Sequence, residues 1–347
     1  MSFQKCFTVP LLAFVLFSAT VSGQQPAPAS NPNPNRINLN VVVTPNSGAP
    51  VAGLQASDFT ISDNKSARSI ASFKAVSGPQ APVEVVIVID AVNSNYTSIS
   101  YQRAQIDKFL RANGGHLAHP TSLAISTDTD TQIQEQISVD GNSLSALLYN
   151  TTIGLREIRR NGGFYADDER LNLSLNALQK LATKEAARPG RKIILWISPG
   201  WPYLTNTEVI LGAKDAQQIF ARIVALSTLL RSGNITLYSI SPSGATQTIE
   251  QQFYYEEFLK GVTKPSQAQR AHLSLQVLAI QSGGRALPPN NDIAGQIEAC
   301  IAETQSYYEL SFDPPPADHR DEYHKIDVKV SKRGLNVRTY TGYYAEP

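Results

Sequence analysis

Cysteine is nearly missing: Cys6 and Cys300 are the only two in 347 residues. Cys6 precedes an N-terminal apolar stretch, so once that stretch is removed no internal disulfide can form, and the fold must rest on a packed core. A chain of this length buries enough surface to do so. Net charge is missing too. Basic and acidic residues number 30 and 29, and with Lys5 set aside the balance is 29 to 29. Nothing in that balance recommends nucleic acid or an anionic bilayer as a partner. After residue 21 no apolar run is long enough to span a membrane. Catalytic signatures are wanting: the chain has no G-x-S-x-G, H-E-x-x-H, P-loop or G-x-G-x-x-G. Scattered acids can still perform hydrolysis, so an extracytoplasmic hydrolase stays as one alternative to a non-enzymatic protein.

The N-terminus supplies the first positive signal. Lys5 precedes an apolar stretch from Phe7 to Val21, closed by the small residues Val21-Ser22-Gly23. This is the pattern of a secretory signal (residues 1–23) cleaved after Gly23, which places the mature chain outside the cytoplasm, secreted or in the periplasm and envelope. A transmembrane anchor is the alternative, but Pro10, Ser18 and Thr20 interrupt a short stretch. Residues 24–37 (QQPAPASNPNPNRI) carry almost nothing apolar and read as a disordered leader.

From there the hydrophobic period changes twice. In 38–80, Leu39, Val41 and Val43 fall at every second position, as do Phe59 and Ile61, and Ile70 to Val76 gives a further strand. From 81 to 306 strands and helices alternate. Val85 to Ile89 is continuously apolar and runs into Asp90; Lys192 to Ser198 and Ile235 to Ile240 are similar. Such runs are buried on both faces, as in a parallel sheet with right-handed helical crossovers. Helical periodicity covers about 100–112, 167–184, 215–231, 273–280 and 293–302, the last placing Cys300 on an apolar face as a small core residue. In 307–347 the period returns to two: Tyr308, Leu310 and Phe312, then Ile326, Val328 and Val330, then Leu335 and Val337. A few strands with one apolar face cannot close a core alone. The two ends of the chain are therefore expected to pair as a small β-sandwich, with the α/β unit inserted; two separate β pieces are the alternative.

Three loops fall at the carboxyl ends of strands: Asp90-Ala91-Val92-Asn93-Ser94, Gly162-Gly163-Phe164 and Ser198-Pro199-Gly200. This arrangement resembles the von Willebrand factor type A domain, a Rossmann-like fold. With its flanking strands and its PPPADHRDEYHKIDVKV and GYY endings, the chain is most similar to the exported proteins of that kind abundant in Acidobacteria. The resemblance covers about residues 38–345. It implies a first loop Asp-x-Ser-x-Ser, a threonine after the paired glycines, and an aspartate before a glycine, together holding magnesium that accepts a partner's carboxylate. Here Asp90 and Ser94 match, whereas Val92, Phe164 and Pro199 stand at the other three positions. Magnesium needs near-octahedral oxygen donors, so no cofactor is expected. Magnesium or calcium, if bound, would rest on Asp90 and Ser94, with an Asn93 carbonyl or a swing of Asp167 or Asp168 in support.

The expected ligand-binding face is thus Asp90, Asn93, Ser94, Phe164, Ser198, Trp201 and Tyr203, with a protein or peptide as partner. Trp201 and Tyr203 read either as anchors at the mouth or as packing beneath the loop. His116-x-x-His119 has metal-compatible spacing but reads as a solvated connector. His319 and His324 flank a turn, where an imidazole usually just hydrogen-bonds. Arg156, Arg159 and Arg160 form a local basic patch able to steer an acidic partner or merely to solvate the surface. The runner-up function is cation-dependent adhesion through Asp90 and Ser94.

Overall fold

The computed structural model describes residues 1, 35–78, 82–151, 163–202, 212–242 and 253–347. The N-terminal strands are β1 (Ile37–Pro45), β2 (Phe59–Asp63), β3 (Ser66–Arg68) and β4 (Ser72–Ser77). Next come β5 (Val83–Asp90), α1 (Tyr96–Arg111), β6 (His116–Ser126), β7 (Thr131–Ile133) and β8 (Ser138–Asp140). They are followed by α2 (Gly141–Asn150), α3 (Gly163–Ala186), β9 (Arg191–Ile197), α4 (Ala213–Ser232) and β10 (Ile235–Ile240). The chain continues with α5 (Leu275–Gln281) and α6 (Ile293–Ala302). It ends in β11 (Ser306–Phe312), β12 (Glu322–Val330), β13 (Leu335–Arg338) and β14 (Gly342–Ala345).

The result is a mixed α/β fold with a mainly parallel central sheet and two antiparallel sheets. The central order is β10-β9-β5-β6-β7, with β8 also on β6; β5, β6, β9 and β10 are parallel, and β7 and β8 antiparallel. Both faces are covered, which explains the unbroken apolar runs. Val85, Ile87 and Ile89 pack with Ile106 and Leu110 of α1 and Ile297 of α6. Val86, Val88 and Trp196 pack with Leu171 and Leu175 of α3 and Ile223 of α4.

The two antiparallel sheets run β13-β1-β11-β4 and β14-β12-β2-β3. Each mixes strands from both ends of the chain, and Leu39, Val41, Phe59, Ile61, Tyr308 and Val328 share one buried cluster. Ile37 is already paired strand, opposite Phe312, so order begins before the expected leader ends at 37. The other face of β1 and β11 is not solvated as strict alternation implies. Val42 and Tyr307 join the core beneath the parallel sheet, and Arg191 lies 4.5 Å from the Tyr307 ring centroid. Residues 35–347 accordingly form one compact unit.

Glu303, just after α6, clamps these layers. It accepts from the Tyr238 hydroxyl of β10 at 2.8 Å and from Arg285 at 2.9 Å, and pairs with Arg338 of β13 at 2.5 Å. Burial alone would raise its pKa, but Arg338, the Tyr238 hydroxyl and Arg285 hold the carboxyl below its ordinary value. Its stabilising contribution is therefore complete above the unfolded-state pKa and disappears as the pH falls through the lower folded-state value. Glu303→Gln should lower stability by about 1–3 kcal/mol near neutrality and flatten the acid limb of the stability curve. Urea unfolding at several pH values reads both effects; an unchanged acid limb would remove Glu303 from that role.

Candidate functional site

Counting the parallel strands in chain order, the second (β6) lies on one side of the first (β5), and the third and fourth (β9, β10) on the other. The order reverses between β5 and β9, and the crevice at the carboxyl ends there is where open α/β sheets hold ligands. Asp90 ends β5 and is 0% exposed. It shares its sheet face with Val88, whose register partner across β5 and β9 is Trp196. Diagonal neighbours of this kind come within reach of a long aromatic side chain.

That geometry decides what Asp90 does. Its Oδ1 accepts from the Asn93 backbone N–H at 3.0 Å and from Asn93 Nδ2 at 3.1 Å. Its Oδ2 accepts from the same Nδ2 at 2.9 Å and from Trp196 Nε1 at 3.1 Å. Asn93 Nδ2 also reaches Ser174 Oγ on α3 at 2.8 Å, and Ser174 donates to the Arg170 carbonyl at 2.9 Å. Ser94 turns aside to accept from Gln102 Nε2 at 3.0 Å, and buried Ser198 accepts from the Gly200 N–H at 3.1 Å. The crevice is filled by the chain's own side chains.

The other expected residues disperse. Trp201 is 2% exposed and meets Trp196 edge-on, ring centroids 5.3 Å apart, so it packs beneath the loop rather than standing free at the mouth. Phe164 is half-buried with the Arg270 guanidinium 5.2 Å from its ring centroid. Tyr203, Arg156, Arg159 and Arg160 lie outside the described residues, as do 2–34 with the signal segment. Asp167 pairs with Arg170, and Asp168 with Arg270 at 3.0 Å and Asn172, so neither swings toward Asp90. Among the described residues no group of three or more His, Cys, Asp and Glu side chains is placed to hold a metal ion.

His116 and His119 correct the connector reading, since both lie in β6. Buried His119 puts Nε2 2.6 Å from Thr304 Oγ1, whose hydroxyl donates to the Ile301 carbonyl. Burial, assisted by the Arg191 charge, lowers its pKa and favours the neutral ring. His324 hydrogen-bonds Asp63 at 2.7 Å and His319 the Arg320 carbonyl at 2.9 Å. Cys300 is fully buried, its thiol pushed up by burial and by Glu303.

Sequence reasoning missed the rim. The exposed large aromatics among the described residues are Tyr96, Tyr101, Tyr149, Tyr165 and Phe253. Tyr96 opens α1, directly beyond the Asp90 loop, and Tyr101 donates to the Asn291 carbonyl just before α6. Tyr149 ends α2, the helix climbing from the opposite edge of the sheet. Ser174 contacts the Asn93 layer, so the first eleven residues of α3 rise about 16 Å past it, carrying Tyr165 at 85% exposure. Phe253 borders a cavity of about 210 Å³ at the carboxyl end of β10, with Tyr255, Leu287 and Pro288 as apolar wall and Gln276 as polar group. Ser241 lines it with a buried hydroxyl that has no hydrogen-bond partner among the described residues. A signal existed: Tyr96 and Tyr101 lie off the buried Ile99, Ile106 and Leu110 stripe of α1.

The sequence matches no protein-family model and no curated protein. Among solved structures it is similar to the manganese-loaded TRAP protein of Plasmodium vivax, with TM-score 0.33 and 13% identity over 78% of this chain and 97% of that one. It is similar to proximal thread matrix protein 1 from the mussel byssus, with TM-score 0.39 and 10% identity over 70% of this chain and 51% of that one. The human COPII-coat protein Sec24c follows, with TM-score 0.31 and 8% identity over 77% and 44%. The chain thus spans about half the length of the mussel protein and less than half of the human one. At these scores the likeness is loose and says nothing of what this chain binds.

Proposed function

We propose that this protein is an exported, non-enzymatic binding module. In this reading a von Willebrand type A-like α/β unit, carried on a β-sandwich built from both chain ends, grips a protein or peptide at the carboxyl edge of its parallel sheet without a cation. The observation that carries it is the exposure of Tyr96 and Tyr165 on the helices flanking the Asp90 loop, with Phe253 beside the cavity at β10, around an acid already saturated by the chain's own donors. Tyrosine gives large, fairly rigid contact area with a polar tip, which is why it is enriched at binding surfaces. The half-apolar cavity beside Phe253 offers a socket with few, convergent polar groups. No helix among the described residues is long and apolar enough to cross a membrane, and nothing in the charge balance favours nucleic acid.

The test is capture from envelope extract by wild type and by a Tyr96→Ser/Tyr149→Ser/Tyr165→Ser variant. All three side chains are exposed, so the variant should melt with wild type. Retained polypeptide should fall about tenfold or more, as expected when interface anchors are removed, and wild-type retention should survive a chelator. Equal retention by both proteins would sink the tyrosine rim, and loss with the chelator would sink the cation-free reading.

A further inference from the structure

Beneath the overhang of α3, a second cavity of about 190 Å³ opens against α4 and the 3-10 turn Arg270–Leu273. Its floor is aliphatic: Leu171, Leu175, Ile219 and Leu273. Among the described residues its charged lining is Asp168, Asp215, Arg222 and Arg270, two of each sign. We propose that this cavity binds a small zwitterion, an α-amino acid with an aliphatic side chain.

Size restricts the ligand first. Pockets for drug-sized molecules run from about 300 Å³ upward, so this one suits something as small as a single amino acid. Charge restricts it next. A lone anion would meet two carboxylates and a lone cation two guanidiniums, whereas a zwitterion answers both signs at once. The floor then asks for a branched hydrocarbon.

The charges are differently committed, which orients the ligand. Asp168 is engaged by Arg270 at 3.0 Å and Asn172 at 3.0 Å, so this pair forms a wall. Arg222 is braced by neutral acceptors instead, Asn172 Oδ1 at 2.7 Å and Asn176 Oδ1. Those amides fix the guanidinium without cancelling its charge. Burial pushes its pKa down and Asp168 opposes that only in part, consistent with a cation short of a counter-ion. A planar fork held in this way suits a carboxylate. Asp215, in the first turn of α4, is exposed at the mouth. Residues 215 and 222 stand two turns apart on one face of α4, about 10 Å along its axis, and both line the cavity. The ligand carboxylate then meets Arg222, its ammonium meets Asp215, and its side chain covers Leu175 and Ile219.

Calorimetry on the full chain with four probes tests this: L-leucine, N-acetyl-L-leucine, L-leucinamide and N-acetyl-L-leucinamide. Leucine should bind saturably, and each singly blocked probe about 10-fold to 100-fold more weakly, the range for losing one hydrogen-bonded charge contact. Arg222→Gln should weaken leucine by a similar factor yet leave leucinamide, which has no carboxylate, unchanged. Asp215→Asn should mirror it, weakening leucine and sparing N-acetyl-leucine. Arg222 also braces Asn172 and Asn176, so Arg222→Gln counts only if its melting temperature holds; exposed Asp215→Asn carries the test otherwise. No leucine binding up to about 10 mM (a free energy near −3 kcal/mol), equal binding of leucine and N-acetyl-leucine, or wild-type leucine affinity in both variants would each overturn the proposal.

Discussion

A chain ending at Ser306 will lose the order of its N-terminal strands, aggregating or giving up residues 37–77 to protease. The truncation removes β11, which lies between β1 and β4, and β12, which lies between β14 and β2. Tyr308, Leu310, Phe312, Ile326 and Val328 leave the cluster that buries Leu39, Val41, Phe59 and Ile61. At about 1.5–3 kcal/mol for each large apolar side chain, the lost burial is on the order of 10 kcal/mol, comparable with the whole stability of an ordinary domain. The α/β unit should suffer as well. The Tyr340 hydroxyl donates to the Ile235 carbonyl at 2.8 Å, and the Tyr307 ring covers Arg191. Size-exclusion chromatography and limited proteolysis of full-length and truncated chains read the outcome. A truncated chain that stays monomeric with residues 37–77 protected would show that the N-terminal strands do not depend on the C-terminal ones.

What could be read from the sequence was whatever burial imposes on local pattern. Val85 to Ile89 and Ile193 to Ile197 had to be apolar throughout, and Ile235 to Ile240 largely so, because helices cover both faces of their sheet. Leu39, Val41 and Val43 recur at every second position because one face of β1 meets the sandwich core, while Val42 on the other face packs beneath the parallel sheet. The first part of β6, read as a connector, escaped notice for an identifiable reason. It begins at His116, and Pro120 sits in the register shift between His116 and Thr121, where a missing N–H is tolerated. Periodicity cannot announce a strand whose early part is bulged. β14 was hidden by its length, four residues paired to β12.

The site was less legible, because its bonds join residues far apart in sequence. An aspartate at the end of a buried strand was visible, with Ser94 and Ser198 placed on the same face. Those two hydroxyls bond elsewhere, and Asp90 is held by Asn93 and by Trp196, 106 residues on. Only the β5–β9 register makes that pairing evident. Trp201 sends no local sign of facing inward, since its partner Trp196 belongs to the preceding strand. The cavity under α3 had both halves in view as i, i+3, i+4, i+7 sets on two helices. Nothing in the chain said that those faces meet.

The same bonds set the expected result at Asp90. Asp90→Ala strips the acceptor from three buried donors: the Asn93 N–H, Asn93 Nδ2 and Trp196 Nε1. Asn93 Nδ2 keeps Ser174, so the loss falls on the bonds of the Asn93 N–H and Trp196 Nε1. At about 1–3 kcal/mol for each of these two bonds, it should be about 2–6 kcal/mol. Asp90→Asn is not the mild substitution that shape alone suggests. Both carboxylate oxygens accept and neither faces an acceptor, so the new amide nitrogen meets either Asn93 or Trp196, donor against donor. A loss of about 1–3 kcal/mol follows, with near-ultraviolet circular dichroism reporting a disturbed Trp196. Because the carboxylate is saturated from within, millimolar magnesium, calcium or manganese should leave the melting temperature of wild type and both variants where it was. If magnesium instead raises the wild-type melting temperature and Asp90→Asn abolishes the rise, Asp90 is a ligand and not a strut, and the cation-free reading of this edge falls with it.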